Sequence, residues 1–439
     1  MLLNIDKIKK ANTGNVSLPE QSFNNFVQNA CDYFKALETD INKINPNEVI
    51  DIISALAAFR EYFERETDWE HLTLNMLNIL QKGIKRSIYD DIASFSGMTH
   101  VAFAIHDLAA AAPKAHSFLE SVNKVLLENL NTYLKASDSN EFYTEGNFEV
   151  ISGLSGPLSY LLYTNDNNDA SITNMTQRII DIFIKRSKDI TILEHRVPGW
   201  HYYPSDLEKS FMTTEAKNGV VNYGLSHGMA ASLVVLSLAY KNGFDGEGMT
   251  EAIDGLISEF MKAHYYTNDI AYWPGRITFE QYTRLDELPK GSGQMSWCYG
   301  SVGILRSLYL SGALMDKSEV KQFALDELLK IAEMDLSDYM LGQTIVCHGF
   351  VGTAAILNAM YLDTGKVQFI QKTVEMIEIC ATLNIEQFFK FEEELAHRRG
   401  APFRGSLHQH LEGYNGIIQT IFSILQGSLK GNEKRLLII

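Results

Sequence analysis

The sequence predicts an all-α protein built from repeated pairs of helices. Apolar residues recur at steps of three and four along most of the chain, which is the spacing of an amphipathic helix. Only nine prolines occur among 439 residues, and few interrupt these segments, where proline would remove a helical hydrogen bond. Glycine signatures return at roughly 50 to 75 residues, a period that indicates a repeat architecture.

The first helices follow from the apolar spacing alone. Apolar positions repeat through residues 23–37, 49–63 and 69–88. The third segment ends in lysine and arginine, and positive charge is favourable at the C-terminus of a helix.

From residue 97 onward, each glycine signature opens a mainly apolar segment that is rich in small residues. The signatures lie at 97, 153–156, 228, 300–303, 349–352 and 413–416. Amphipathic segments lie between them, at 115–136, 171–187, 249–265, 318–333 and 368–384. Because glycine lets backbones approach closely, we expect an apolar inner helix after each signature and an amphipathic outer helix between them, about seven of each kind.

Two connections are too long for simple helical hairpins. Residues 188–221 and 267–296 are rich in aromatic residues and glycine, and loops of this length are usually functional. Each leads into a repeat that carries cysteine or histidine, so we expect these insertions to roof a central cavity and to be able to hold short strands. No linker divides the chain, which predicts a single domain over residues 1–439.

Composition excludes several classes of protein. The net charge of −16 argues against binding nucleic acid or an anionic membrane, since phosphates need a basic face. The uncharged stretches 218–240 and 339–362 are interrupted by polar residues and glycine, which favours buried helices over membrane spans. Four cysteines in so long a chain do not make a disulfide framework and favour the cytoplasm.

Ligand-type side chains stand just before the glycine signatures. Cys298 and Cys347 precede two of them, His348 follows Cys347 directly, and His227 precedes a third. The cysteines are 49 positions apart (347 − 298), so no short zinc-finger spacing is present. If the repeats surround one axis, two thiolates and an imidazole converge in a way that suits Zn²⁺ with an open fourth position. The alternative is that both cysteines are small buried apolar residues.

An open zinc site with sulfur ligands suits the activation of another thiol, because zinc deprotonates it while leaving the sulfur nucleophilic. Thiol alkylation or thiol addition is therefore the predicted chemistry.

The other cysteines, histidines and acidic residues are weaker candidates for a functional site. Cys31 and Cys380 lie in amphipathic segments, His408 and His410 suit a loop or rim role, and 392–394 is interpreted as a solvated helix face.

Three motifs together resemble the lanthipeptide cyclases, the LanC family. They are Ser-His-Gly-Met-Ala at 226–230, Trp-Cys-Tyr-Gly-x-x-Gly at 297–303 and Cys-His-Gly-x-x-Gly at 347–352. Residues 149–162 resemble the stand-alone bacterial members. The resemblance implies an α/α toroid, a double-layered α/α barrel. It also implies one Zn²⁺ per chain, held by Cys298, Cys347 and His348, and closure of thioether rings by addition of peptide cysteines to dehydroalanine or dehydrobutyrine.

The resemblance also implies roles for individual residues. His227 matches the acid/base histidine of the family and would protonate the enolate that follows thiol addition. Glu149 stands where the best-known members have an aspartate that assists this proton transfer or orients the histidine. Tyr299 could donate a hydrogen bond to the enolate oxygen. Gln294 stands where one of the best-known members has an arginine.

The leading hypothesis is thus a cytoplasmic zinc-dependent cyclase that acts on a dehydrated precursor peptide. It would work beside a separate dehydratase and a membrane exporter, and that complex would hold it at the membrane periphery. The alternative is a LanC-like enzyme that adds glutathione or another small thiol to dehydro residues of proteins. A glycosidase on an α/α barrel would need paired carboxylates instead, and a non-catalytic scaffold would keep only a vestigial metal site.

Overall fold

The computed structural model describes residues 2–4, 7–8, 16–39, 41–137, 147–164, 169–205, 215–244, 246–399, 405–427 and 431–438. Helices dominate these residues. In chain order they are α1 (Glu20–Thr39), α2 (Val49–Phe59), α3 (Glu66–Lys85), α4 (Met98–Ala111), α5 (His116–Ser137), α6 (Ser155–Thr164), α7 (Ala170–Arg186), α8 (Met229–Lys241), α9 (Met249–Ala263), α10 (Phe279–Tyr282), α11 (Ser301–Leu314), α12 (Ser318–Glu333), α13 (Phe350–Thr364), α14 (Val367–Ala381), α15 (Ile385–Arg399), α16 (Tyr414–Gln426) and α17 (Gly431–Arg435).

Two kinds of helix alternate along the described part of the chain. Seven are buried around most of their circumference: α2, α4, α6, α8, α11, α13 and α16. Seven bury a single face: α1, α3, α5, α7, α9, α12 and α14. The alternation confirms the predicted pairing of inner and outer helices.

Helix α15 corrects one expectation. Glu392 was interpreted as part of a solvated face, but it is only 6% exposed. It lies one helical turn after the fully buried Phe388, which places both on the inward face of α15. Its Oε2 accepts a hydrogen bond from Nε2 of Gln343 at 2.6 Å, so the carboxylate is buried with a partner.

The chain forms two compact units. Unit one contains Met1–Asp90, Ser96–Asn123 and Asp335–Glu433, and unit two contains Asp91–Phe95, Lys124–Met334 and Lys434–Ile439. In unit one, α2 packs against α4 and α16, and α16 packs against α13. In unit two, α8 packs against α6 and α11. Within each unit, consecutive buried helices therefore neighbour one another, while a single domain over 1–439 stays a prediction.

Among the described residues, six strands of three residues each lie in or beside the two predicted insertions. They are β1 (Ile190–Ile192), β2 (His195–Val197), β3 (Val220–Asn222), β4 (Tyr265–Thr267), β5 (Ile270–Tyr272) and β6 (Arg276–Thr278). The antiparallel pairs are β1 with β2, β3 with β6, and β4 with β5. Residues 206–214 of the first insertion lie outside the described residues, and the roofing role of both insertions stays a prediction.

The uncharged stretches 218–240 and 339–362 correspond to α8 and α13 with their lead-in loops. No described helix combines the length and the apolar character that crossing a bilayer requires.

Candidate active site

The loops that lead into α8, α11, α13 and α16 share one backbone arrangement. Each ends in a glycine N-cap with extended backbone, namely Gly228, Gly300, Gly349 and Gly413. A Cβ on any of these glycines would lie 2.1 to 2.5 Å from a backbone atom of the residue four positions earlier. The loop folds back on itself so closely that only glycine fits, and the sequence repeat is therefore also a structural repeat.

This shared geometry defines which residues are equivalent. Cys298 and Cys347 both stand two positions before the cap glycine. His227, Tyr299 and His348 all stand one position before it. Histidine and cysteine thus do not occupy the same place in the repeat. His227 corresponds to His348 rather than to the cysteines.

Consecutive loops are hydrogen-bonded to one another within each unit. In unit two, the N–H of Ser226 donates to the carbonyl of Cys298 at 3.2 Å. In unit one, the N–H of Cys347 donates to the carbonyl of Leu411 at 2.9 Å. Both bonds join the positions two residues before the cap glycine, so neighbouring loops meet at the position that carries the cysteines.

The predicted metal ligands differ in how deeply they are buried. Cys298, in unit two, is 5% exposed, and its Sγ lies 3.6 Å from Oγ of Ser296. Cys347 and His348, in unit one, are half-buried at the start of α13. Cys31 and Cys380 are buried within α1 and α14, two of the amphipathic helices that the sequence predicts.

The structure brings His227 and Glu149 together in unit two. Nδ1 of His227 lies 2.9 Å from Oε2 of Glu149, and the glutamate side chain is fully buried while 38% of the histidine side chain is exposed. Glu149 also accepts the N–H of Ile151 at 2.9 Å and that of Ser152 at 2.5 Å. Three donors around one carboxylate hold it in a fixed position.

The pairing assigns separate roles to the two imidazole nitrogens. A carboxylate can only accept, so Nδ1 of His227 carries the hydrogen that it donates to Glu149. Nε2 is then the nitrogen that can exchange a proton with a bound molecule. The ring of Tyr299 lies nearly parallel to that of His227, with 6.4 Å between centroids and 26° between planes. All three predicted catalytic side chains therefore belong to one part of unit two.

Sequence reasoning missed one polar residue of this cluster, Asn222. Its Nδ2 lies 3.3 Å from the hydroxyl oxygen of Tyr299. The sequence carried only a faint signal for it, an amide residue that ends the apolar pair Val220 and Val221. Gln294, where the family pattern has arginine, is half-exposed in the loop before α11.

Comparisons with known proteins identify the family to which this chain belongs. Residues 50–433 match the family described as lanthionine synthetase C-like protein. The chain belongs to this family, which confirms the LanC resemblance and, at the level of the family, the predicted lanthionine synthetase C-type cyclase.

Two individual proteins are similar to this chain. The nisin biosynthesis protein NisC of Lactococcus lactis subsp. lactis is 24% identical over 304 residues, which cover 65% of this chain and 67% of NisC. The solved structure of nisin cyclase matches with a TM-score of 0.77 at 19% identity, covering 94% of this chain and 98% of that one. The structural match confirms the predicted α/α toroid fold.

Proposed function

We propose that this protein is a zinc-dependent cyclase that adds cysteine thiols of a dehydrated precursor peptide to its dehydroalanine and dehydrobutyrine residues. The observation that carries the proposal is the pair of His227 and Glu149, an oriented acid/base group in a chain of the lanthionine synthetase C-like family. NisC, a relative of this chain, is named for nisin biosynthesis, which supports a peptide substrate of the same class.

Cys298, Cys347 and His348 would hold the zinc ion. The two cysteines occupy equivalent positions in consecutive loops of the repeat, and within each unit that position is where consecutive loops meet. Two sulfur ligands and one nitrogen ligand suit Zn²⁺ and leave a fourth position open. When bound, zinc would favour the thiolate form of a substrate cysteine near neutral pH.

His227 would supply the proton that completes the addition. As the substrate sulfur bonds to the β-carbon, the carbon–carbon double bond of the dehydro residue becomes an enolate, which needs a proton at Cα. The substrate thiol gives up one proton and Cα takes up one, so the overall reaction adds one thiol across the double bond and releases nothing. Protonated His227 delivers the proton from Nε2, and the buried charge of Glu149 favours that protonated form beforehand.

Tyr299 would stabilise the enolate. A hydroxyl that donates a hydrogen bond to the developing oxygen charge lowers the barrier, because such bonds strengthen as the charge appears. Its ring already lies beside that of His227, so one substrate residue could meet both groups. Gln294 carries no charge, so it would not stabilise the enolate as a cation.

A thiol count tests the proposal. Ring closure does not change the mass of the peptide, so free thiols are counted by alkylation and mass spectrometry. Zinc-loaded protein is incubated with a dehydrated nisin precursor in the presence of glutathione, and protein stripped of metal serves as the control. Loss of free peptide thiols supports the cyclase. A glutathione adduct supports the small-thiol alternative, and an unchanged peptide contradicts both.

The biological setting is also part of the proposal. A separate dehydratase must supply the dehydro residues, because thiol addition consumes them and the residues of this site do not form them. Action in the cytoplasm, beside that dehydratase and a membrane exporter, stays a prediction.

A further inference from the structure

Asn222 is a buried polar residue next to the proposed catalytic cluster. It ends β3 and is 1% exposed. Its cross-strand partner in the antiparallel pair with β6 is Arg276. Burying an amide destabilises the fold unless its donors and acceptor make hydrogen bonds. The contacts of Asn222 therefore indicate its role.

The orientation of the Asn222 amide is determined by its neighbours. The backbone N–H of Gly224 lies 3.0 Å from Oδ1 of Asn222, and a backbone N–H can only donate. The amide oxygen must therefore face Gly224, and Nδ2 must face the other way. There it lies 3.3 Å from the hydroxyl oxygen of Tyr299 and 3.5 Å from that of Tyr202.

The orientation of the Asn222 amide determines the direction in which the Tyr299 hydroxyl can donate its hydrogen. Because an amide nitrogen only donates, the oxygen of Tyr299 is the acceptor of this bond. Its own hydrogen is therefore directed away from Asn222. The ring is held as well, since a Cβ at Gly224 would lie 2.8 Å from Cδ1 of Tyr299. Asn222 and Gly224 together hold Tyr299 beside His227.

We propose that Asn222 is a positioning residue for the cyclisation step. By donating to Tyr299, it leaves that hydroxyl as a hydrogen-bond donor to the carbonyl oxygen of the dehydro residue that His227 protonates. The inference rests on the proposed function, in which Tyr299 stabilises the enolate. It adds a residue outside the three motifs and explains why an amide, rather than a carboxylate of the same shape, suits this position.

Replacing the amide by a carboxylate tests the idea. In Asn222→Asp, one oxygen can still accept from Gly224, but the other now accepts the hydrogen of Tyr299 and turns it away from the substrate. We expect kcat to fall about 100-fold, as on loss of one oxyanion donor, with KM changed little. Asn222→Ala removes the donor without adding charge and should show a smaller fall in kcat.

A double-mutant comparison separates positioning from a merely structural role. In a Tyr299→Phe background, Asn222→Asp should cost no further activity, because the hydroxyl it acts through is already absent. Asn218→Asp is the matched control. It adds a carboxylate just before β3, where the amide of Asn218 donates to Glu280 at 2.6 Å, and it should leave kcat near that of the parent. Thermal unfolding of each variant checks that it folds.

Two results would overturn the inference while the cyclase proposal stands. One is an Asn222→Asp variant as active as the parent. The other is a loss that persists in full in the Tyr299→Phe background, which would make Asn222 structural only. If the zinc-loaded parent protein itself leaves the peptide thiols unchanged, the proposed function fails, and the inference fails with it.

Discussion

Nδ1 of His227 and Oε2 of Glu149 lie 2.9 Å apart, with the carboxylate fully buried and the imidazole partly exposed. The glutamate side chain also receives two backbone N–H groups from its own loop, so it is held in place independently of the histidine. A fixed, ionised carboxylate behind a reachable imidazole is the arrangement of an acid/base group that must carry a proton at neutral pH.

Removing the charge of Glu149 should make cyclisation depend more strongly on pH. In Glu149→Gln the protonated form of His227 loses its stabilising neighbour. We expect the rate to fall by about 10-fold or more at pH 8 and to recover as the pH is lowered towards about 6, where the imidazole is protonated without help. The pH profile of kcat measures this. A profile parallel to that of the parent would show that Glu149 does not act through His227.

Removing the imidazole should abolish proton delivery without disturbing the metal site. We expect His227→Asn to lower the rate of cyclisation by about 10²- to 10⁴-fold, the usual contribution of a general acid. Zinc content should stay at the parental level, because His227 is not among the proposed ligands. His195→Asn, at an exposed histidine of β2, is the control and should keep full activity.

Three of the four cysteines should separate into two classes on alkylation at pH 8. Burial raises the pKa of the Cys31 thiol to about 11, helped by the neighbouring Asp32, and burial raises the pKa of Cys380 further. At a pKa of 11, only about one thiol in a thousand is ionised at pH 8. Both should stay unmodified with or without zinc. The half-buried Cys347 should react in metal-free protein and be protected by zinc, as peptide mapping would show. Equal labelling in the two states would contradict its role as a ligand.

Two glycine-to-alanine changes in unit two should have opposite effects on stability. A Cβ at Gly303, in the first turn of α11, would lie 2.2 Å from the carbonyl oxygen of Trp297. Gly303→Ala should therefore lower the free energy of unfolding by about 1–3 kcal/mol. A Cβ at Gly255, inside α9, would meet no atom within 4 Å, so Gly255→Ala should raise it by about 0.5–1 kcal/mol. Urea unfolding compares them, and equal effects would refute the close loop packing.

Much of the fold was predictable because the local spacing of apolar residues indicates a helix. Helices α8, α11 and α13 begin at the residue after Gly228, Gly300 and Gly349, where the glycine signatures predict them. The proposal that Cys298 and Cys347 are ligands has a related basis, since the same residue type recurs at the same place in a repeat.

Contacts between distant parts of the chain were not predictable in this way. The hydrogen bond of Asn222 to Tyr299 joins residues 77 positions apart, and no local pattern marks it. Glu392 was assigned to the solvent because charged runs usually face water, whereas the turn-to-turn spacing from Phe388 places it inward.

The most direct test of the central claim is elemental analysis of zinc on the parent protein and on four single cysteine variants, all reconstituted with zinc and then desalted. We predict about one zinc per chain in the parent, in Cys31→Ala and in Cys380→Ala. We predict its loss in Cys298→Ala and in Cys347→Ala. A parent that stays free of zinc, or a Cys298→Ala variant that keeps the full amount, would contradict the shared zinc site and the thiol chemistry built on it.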